Sequence, residues 1–175
     1  MKRSLALLLL LVSGLFAFDP QGGNIGLGFF LGGGVTHSGN AGLHAQYWFN
    51  HHQSVNAAAS WGWGHGWGGV NLQADYIFNH WYDLLVPAKQ DIGKFPLYVG
   101  LGGWVGLWNN RYWVADRAVH RTETELGAGV RVPFGVDFLV KEGPFDVFAE
   151  ITPGMQIVPS TDFTLDLIIG GHYYF

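Results

Sequence analysis

From Phe163 to Phe175 the chain reads Phe-Thr-Leu-Asp-Leu-Ile-Ile-Gly-Gly-His-Tyr-Tyr-Phe, and its two parities are chemically different. Phe163, Leu165, Leu167, Ile169, Gly171, Tyr173 and Phe175 carry no charge and finish in two aromatics. Thr164, Asp166, Ile168, Gly170, His172 and Tyr174 are mixed and mostly polar or small. Successive side chains leave a strand on opposite faces, so a period of two means a strand between two environments. An uncharged row closed by aromatics suits a strand with one side against lipid and the other against a packed interior.

The same alternation recurs upstream. Strands are expected at Asn24–Gly32, Ala41–Phe49, Ser54–Trp63, Val70–Phe78, Leu97–Trp108, from Glu125 through Phe134, and at Phe145–Thr152. With the terminal stretch these make eight, and the outward parity of all eight lacks Asp, Glu, Lys and Arg. The inward parity holds Asp75, Glu125, Arg131, Asp146, Glu150 and Asp166. A soluble barrel would reverse this, with charges outside and apolar side chains within. A basic residue on a lipid face near the midplane costs roughly 2–4 kcal/mol, so a charge-free row in every strand is informative.

The expected architecture is therefore all-β: an eight-stranded antiparallel up-and-down transmembrane barrel. Composition agrees. Only 13% of the residues are charged, 16% are aromatic and 27 are glycine. That is few charges for a soluble surface, yet no run after the N-terminus is long and apolar enough for a membrane helix. Eight strands enclose a lumen just wide enough for side chains to fill, so solute conduction of the porin kind is not expected.

The N-terminus has its own layout. Met1-Lys2-Arg3 is basic, Ser4–Leu15 is apolar, and small Ala17 precedes Phe18-Asp19-Pro20. This is the three-part pattern of a secretory signal peptide. We assign residues 1–17 to the leader and 18–175 to the barrel. There is no cysteine, which excludes disulfides, thiolate metal sites and a lipid anchor on a processed cysteine. The formal net charge is −4, and loss of Lys2 and Arg3 with the leader takes it to −6. That argues against a nucleic-acid binder.

Short turns are expected at Asn50–Gln53 and Lys141–Pro144, and loops at Gly33–Asn40, Gly62–Gly69, Asn109–Thr124 and Pro153–Asp162. The segment Asn79–Pro96, with Pro87, Lys89, Asp91 and Lys94, reads as a longer connection.

The terminal strand resembles the last strand of bacterial outer-membrane β-barrels. In that group the terminal Phe is read by the barrel-assembly machinery, which makes Tyr173 and Phe175 the expected assembly signal. Gly23–Phe175 as a whole resembles the small barrels of the OmpA/OmpX type. Arg131-Val132-Pro133-Phe134-Gly135, Phe148-Ala149-Glu150-Ile151-Thr152-Pro153-Gly154 and Gly170-Gly171-His172-Tyr173-Tyr174-Phe175 are similar to a group of outer-membrane β-barrel domain proteins, spirochaete members included. The resemblance implies an outer-membrane location, contact with outer-membrane lipid and lipopolysaccharide, and a structural or adhesive role without catalysis. No cofactor, metal or nucleic acid is expected, and a monomer is favoured. Host or surface ligands would be met through the external loops.

Three groups of residues are candidates for something more. Arg131, Glu150 and Asp166 are expected to meet in the lumen as a polar network, because two close carboxylates need a cation between them. A hairpin around Pro153–Asp162 would set Glu150 across from Leu165 or Asp166. Arg131 would then reach along the barrel, or a bulge at Pro133 would shift the register. Trp61, Trp63 and Trp67 form a Gly-spaced aromatic cluster, expected as an interfacial girdle, where indole rings sit well at headgroup level. His37-Ser38-Gly39-Asn40 resembles the His-x-Ser-Asn element of outer-membrane lipid A deacylases, which implies a lipid-modifying enzyme as the alternative. A residue of that element is missing, and a Ser–His unit needs a third group to orient the imidazole. A narrow selective channel is the further alternative.

Overall fold

The computed structural model describes residues 23–34, 39–64, 67–81, 93–114, 119–141 and 143–175. Its strands are β1 (Ile25–Gly34), β2 (Asn40–Trp48), β3 (Ser54–Gly64), β4 (Trp67–Trp81), β5 (Gly93–Lys94), β6 (Leu97–Val114), β7 (Val119–Arg131), β8 (Phe134–Val140), β9 (Phe145–Val158) and β10 (Asp162–Tyr174). Each pairs antiparallel with its neighbour, and β10 returns to pair with β1 from Gly26↔Tyr174 to Gly34↔Asp166. The result is a closed eight-stranded barrel. β7 and β8 act as one stave, and the two-residue β5 lies against β8.

Pro133 breaks that stave because proline has no N–H to give the ladder. It does not shift the register. Arg131 faces Gly154 on β9 and Phe134 faces Ile151, as an uninterrupted strand would. The ladder is bridged at the break by bonds from Gly100 N to Pro133 O (2.9 Å) and from Val132 N to Pro153 O (2.9 Å).

Polarity is inverted relative to a soluble fold. Leu27, Phe29, Leu31, Leu43, Leu72 and Leu101 are exposed on the outer wall, Phe29 to 70%. Buried inside are His44, Gln46, Asn56, Asp75, His80, Arg131, Asp137, Asp146, Glu150 and His172. Around the outer wall at the end holding the turns Asn50–Gln53 and Lys141–Pro144 run Tyr47, Phe49, Tyr76, Phe145, Tyr173 and Phe175. Their rings meet at 4.8–6.4 Å between centroids.

Several expected boundaries move. β4 begins at Trp67 and runs on to Trp81, so the Gly/Trp loop shrinks to the two residues between Gly64 and Trp67. β6 and β7 pair as far as Val114↔Val119, so most of Asn109–Thr124 is ladder rather than loop. β9 continues through Pro153 to Val158, leaving a short turn before β10. Polar residues misled here because a strand that has cleared the barrel needs no apolar row. Glu125, counted on the inward row, is exposed for the same reason: β7 pairs with β9 only from Ala128 downward.

Candidate functional site

The lumen holds two polar clusters, which meet where the His80 and Tyr98 rings lie 5.6 Å apart. The first is centred on Arg131. Its Nε lies 3.1 Å from Asp75 Oδ1, and its Nη2 donates to Glu150 Oε1 at 2.6 Å and to Thr152 Oγ1 at 3.4 Å. Its Nη1 donates to Gln73 Oε1. Thr152 and Tyr98 hydroxyls then donate to Glu150 Oε1 and Oε2 at 2.5 and 2.9 Å. All of these side chains except Gln73 are buried. A buried guanidinium between two carboxylates, one of them, Glu150, further hydrogen-bonded by Tyr98 and Thr152, is a form in which buried charges are tolerated.

The second cluster is nearer the turn end. His172 Nδ1 donates to Asp146 Oδ1 at 2.8 Å, and so does the His172 main-chain N at 2.8 Å. With Nδ1 as donor, His172 Nε2 is left as acceptor, so His44 Nδ1 is the donor in their 2.5 Å contact. Tyr174 OH donates to Asp146 Oδ2 at 2.5 Å, lies 2.6 Å from Gln46 Oε1 and accepts from Trp48 Nε1 at 3.3 Å. Below it, His80 stands 3.6 Å from Asp137, and its ring lies tilted against that of Trp48, with centroids 4.2 Å apart. His52 and His80 exchange ring-nitrogen-to-carbonyl contacts of 3.0 Å.

Phe30, Ala58, Phe148 and Ile168 form a buried apolar cluster, with Phe148 against the rings of His44 and His172 at 5.0 and 4.9 Å. Above Arg131 the space between Asn40, Asn71, Trp104, Thr164 and Asp166 amounts to about 20 Å³, room for about one water molecule. Among the described residues no three His, Cys, Asp or Glu side chains converge on a possible metal position.

One local rule places these contacts. Asp75 and Arg131 are not on adjacent strands; both face Gly102 of β6. Tyr98 and Glu150 both face Gly135. His44 and His172 both face Gly28, and Gln46 and Tyr174 both face Gly26. In each case a glycine on the intervening strand leaves open the space its side chain would fill. At Gly26 an added Cβ would sit 2.8 Å from the Tyr174 ring, and at Gly102 it would run into the Asp75 carboxylate.

Of the expected network, Arg131 and Glu150 meet. Glu150 does not face Leu165 or Asp166, however; because β9 runs on to Val158, it faces Ile168. Asp166 faces Thr152 and Gly34 and lines the small cavity that Arg131 also borders. Asp75 is the second acid on Arg131, and Arg131 reaches along the barrel with no register shift. The sequence reading did not assign Asp137, His80 or Tyr98 to the lumen network. A bulge at Phe78, between Ile77 and Asn79, is what turns His80 inward and Trp81 outward. Paired glycines opposite polar residues were the available signal for the rest.

Tyr173 and Phe175 project from the outer wall, 42% and 65% exposed, with rings 4.8 Å apart. Trp61 and Trp63 are exposed near the opposite end of the barrel. Trp67 opens β4, and its side chain lies outside the described residues, as do His37, Ser38 and the leader.

No family model matches the chain, and no curated protein matches it either. Solved structures that share its fold include two small barrels. The N-terminal β-barrel domain of Pseudomonas aeruginosa OprF aligns with a TM-score of 0.58 at 13% identity, covering 86% of this chain and 98% of that one. Neisserial surface protein A aligns with a TM-score of 0.60 at 12% identity, covering 87% and 97%. Both are small outer-membrane eight-stranded barrels, so in fold the chain is of the OmpA/OmpX-like kind. At such identities the likeness is one of fold.

Proposed function

We propose that the chain is exported by a cleaved leader and resides in the bacterial outer membrane, where it serves a structural or surface-contact role without catalysis. The observation that carries this reading is the inverted polarity. A wall bearing Leu27, Phe29, Leu31, Leu72, Leu101, Leu167 and Ile169 in the open is expensive in water and favourable in lipid. The aromatic rims at its ends fit headgroup level. The packed lumen, with about 20 Å³ left above Arg131, argues for an anchor rather than a solute channel.

Surface contact is supported by the β6–β7 hairpin. It pairs out to Val114↔Val119, whereas β4 accompanies β6 only to Asn110 and β9 meets β7 only from Ala128. Among the described residues the hairpin ladder therefore extends past those of both neighbours, a form suited to contact with external partners. Tyr173 and Phe175, on the outer wall at the chain end, are the proposed contacts for the assembly machinery. Outer-membrane lipid and lipopolysaccharide are the proposed surroundings.

Fractionation tests this directly. The protein is expected in the outer-membrane fraction, migrating on gels as a folded form that boiling converts to a slower one. Phe175→Asp is expected to lower the inserted amount several-fold. Recovery as a soluble periplasmic monomer would overturn the membrane reading, and normal insertion of Phe175→Asp would overturn the assembly-signal reading alone.

A further inference from the structure

We infer that the barrel's closing seam is clamped from inside by side chains that bypass β1: His172 and Tyr174 of β10 are tied directly to His44 and Trp48 of β2. The seam itself is poorly equipped. Of the nine facing pairs between β1 and β10, those at Gly26, Gly28, Gly32, Gly33, Gly34, Gly170 and Gly171 include a glycine, leaving only Leu27↔Tyr173 and Leu31↔Ile169 with two side chains. Cross-strand side-chain pairs are what stabilise a ladder beyond its backbone bonds. By contrast, β3 and β4 face each other through full side-chain pairs from Ser54↔Ile77 to Trp61↔Val70.

The same glycines open the bypass. Over Gly28, His44 Nδ1 donates to His172 Nε2 at 2.5 Å; over Gly26, the Tyr174 hydroxyl lies 2.6 Å from Gln46 Oε1 and 3.3 Å from Trp48 Nε1. Asp146 on β9 completes the clamp. It takes the protons of His172 Nδ1 and Tyr174 OH at 2.8 and 2.5 Å, fixing the tautomer that lets His172 accept from His44. Three strands, β9, β10 and β2, are thus joined through a single hydrogen-bonded chain. Its β10–β2 contacts link residues 126 and 128 positions apart, so they form only when the two ends of the chain have met. The clamp makes closure depend on β10 finding β2 as well as β1. It rests on the barrel fold and not on the membrane location.

The test is hydrogen exchange on the full chain, folded in detergent, read peptide by peptide. Tyr174→Phe keeps the ring and removes the hydroxyl. Tyr98→Phe makes the same chemical change elsewhere in the lumen, at a hydroxyl that bonds Glu150 and does not touch the seam. In Tyr174→Phe, peptides covering Ile25–Gly34 and Asp162–Tyr174 are expected to exchange about tenfold faster, with those of β3 and β4 unchanged. Tyr98→Phe is expected to leave the seam at the wild-type rate. His44→Phe, on the β2 side and outside the terminal strand, is expected to reproduce the seam effect even if Tyr174→Phe folds poorly. An unchanged seam in His44→Phe, or equal acceleration of the seam by Tyr98→Phe, would overturn the clamp.

Discussion

The Arg131 cluster and the seam clamp do the same geometric job with different chemistry. Each joins strands that are not neighbours by crossing a glycine: Gly102 and Gly135 in the first, Gly26 and Gly28 in the second. The Arg131 cluster spans β4 to β9, and one guanidinium holds two carboxylates there at 2.6 and 3.1 Å. The clamp spans β9 to β2 and runs through imidazoles and a phenol on a single carboxylate. The difference is in what a deletion leaves behind. Losing Arg131 strands two acids in a closed lumen, whereas losing one clamp hydroxyl touches only the neutral Trp48 Nε1 and Gln46 Oε1 and an Asp146 still bonded to His172. The first cluster therefore governs whether the barrel forms, and the second where it opens.

That contrast is open to measurement. Arg131→Ala is expected to cost about 3–5 kcal/mol, the usual penalty for removing one partner of a buried ion pair. The readout is the urea midpoint at which the folded gel form disappears, and a midpoint near wild type would remove the distinction between the clusters. Next in size, Gly102→Ala is expected to cost about 1–3 kcal/mol, because its methyl group would occupy the path between Asp75 and Arg131. Gly103→Ala is the matched control: its Cβ would meet nothing nearer than Gly129 O at 3.1 Å, and a much smaller shift is expected. Equal shifts for the two would mean that the glycines serve the ladder rather than the crossings. The smallest effect is expected from Tyr98→Phe, about 1 kcal/mol for one lost hydroxyl bond to Glu150. It should lower the urea midpoint without loosening the seam, the opposite selectivity to Tyr174→Phe.

Period-two patterning was enough to lay out the wall. Phe163, Leu167, Ile169, Tyr173 and Phe175 all face outward as their parity required, and Thr164, Ile168, His172 and Tyr174 are buried. The signal holds because a strand face buried in the wrong medium is penalised at every second residue. It weakened where that penalty does not apply. A strand that extends past its neighbours needs no apolar row, so Asn109–Thr124 read as loop although Asn109–Val114 and Val119–Thr124 are strand. It failed at Phe78, where one extra residue flips the parity and hands His80 to the lumen.

The lumen network divides along the same line. Sequence alone determined most of the side chains that point inward, because alternation is local and every residue carries its own transfer energy; Glu125 and His80 are the departures. Arg131, Glu150, Asp75, Asp146 and Asp166 all lie on the inward row that alternation defines. Tertiary structure decided which of them touch. Partner choice depends on ladder register and on which intervening position is glycine, and both are relations between segments far apart in the chain. The extension of β9 to Val158 set Glu150 opposite Ile168, and Gly102 gave Asp75 access to Arg131. Gly26 and Gly28 made the last strand a neighbour of the second, for the physical reason that a position without a side chain leaves room for its two flanking residues to meet across it.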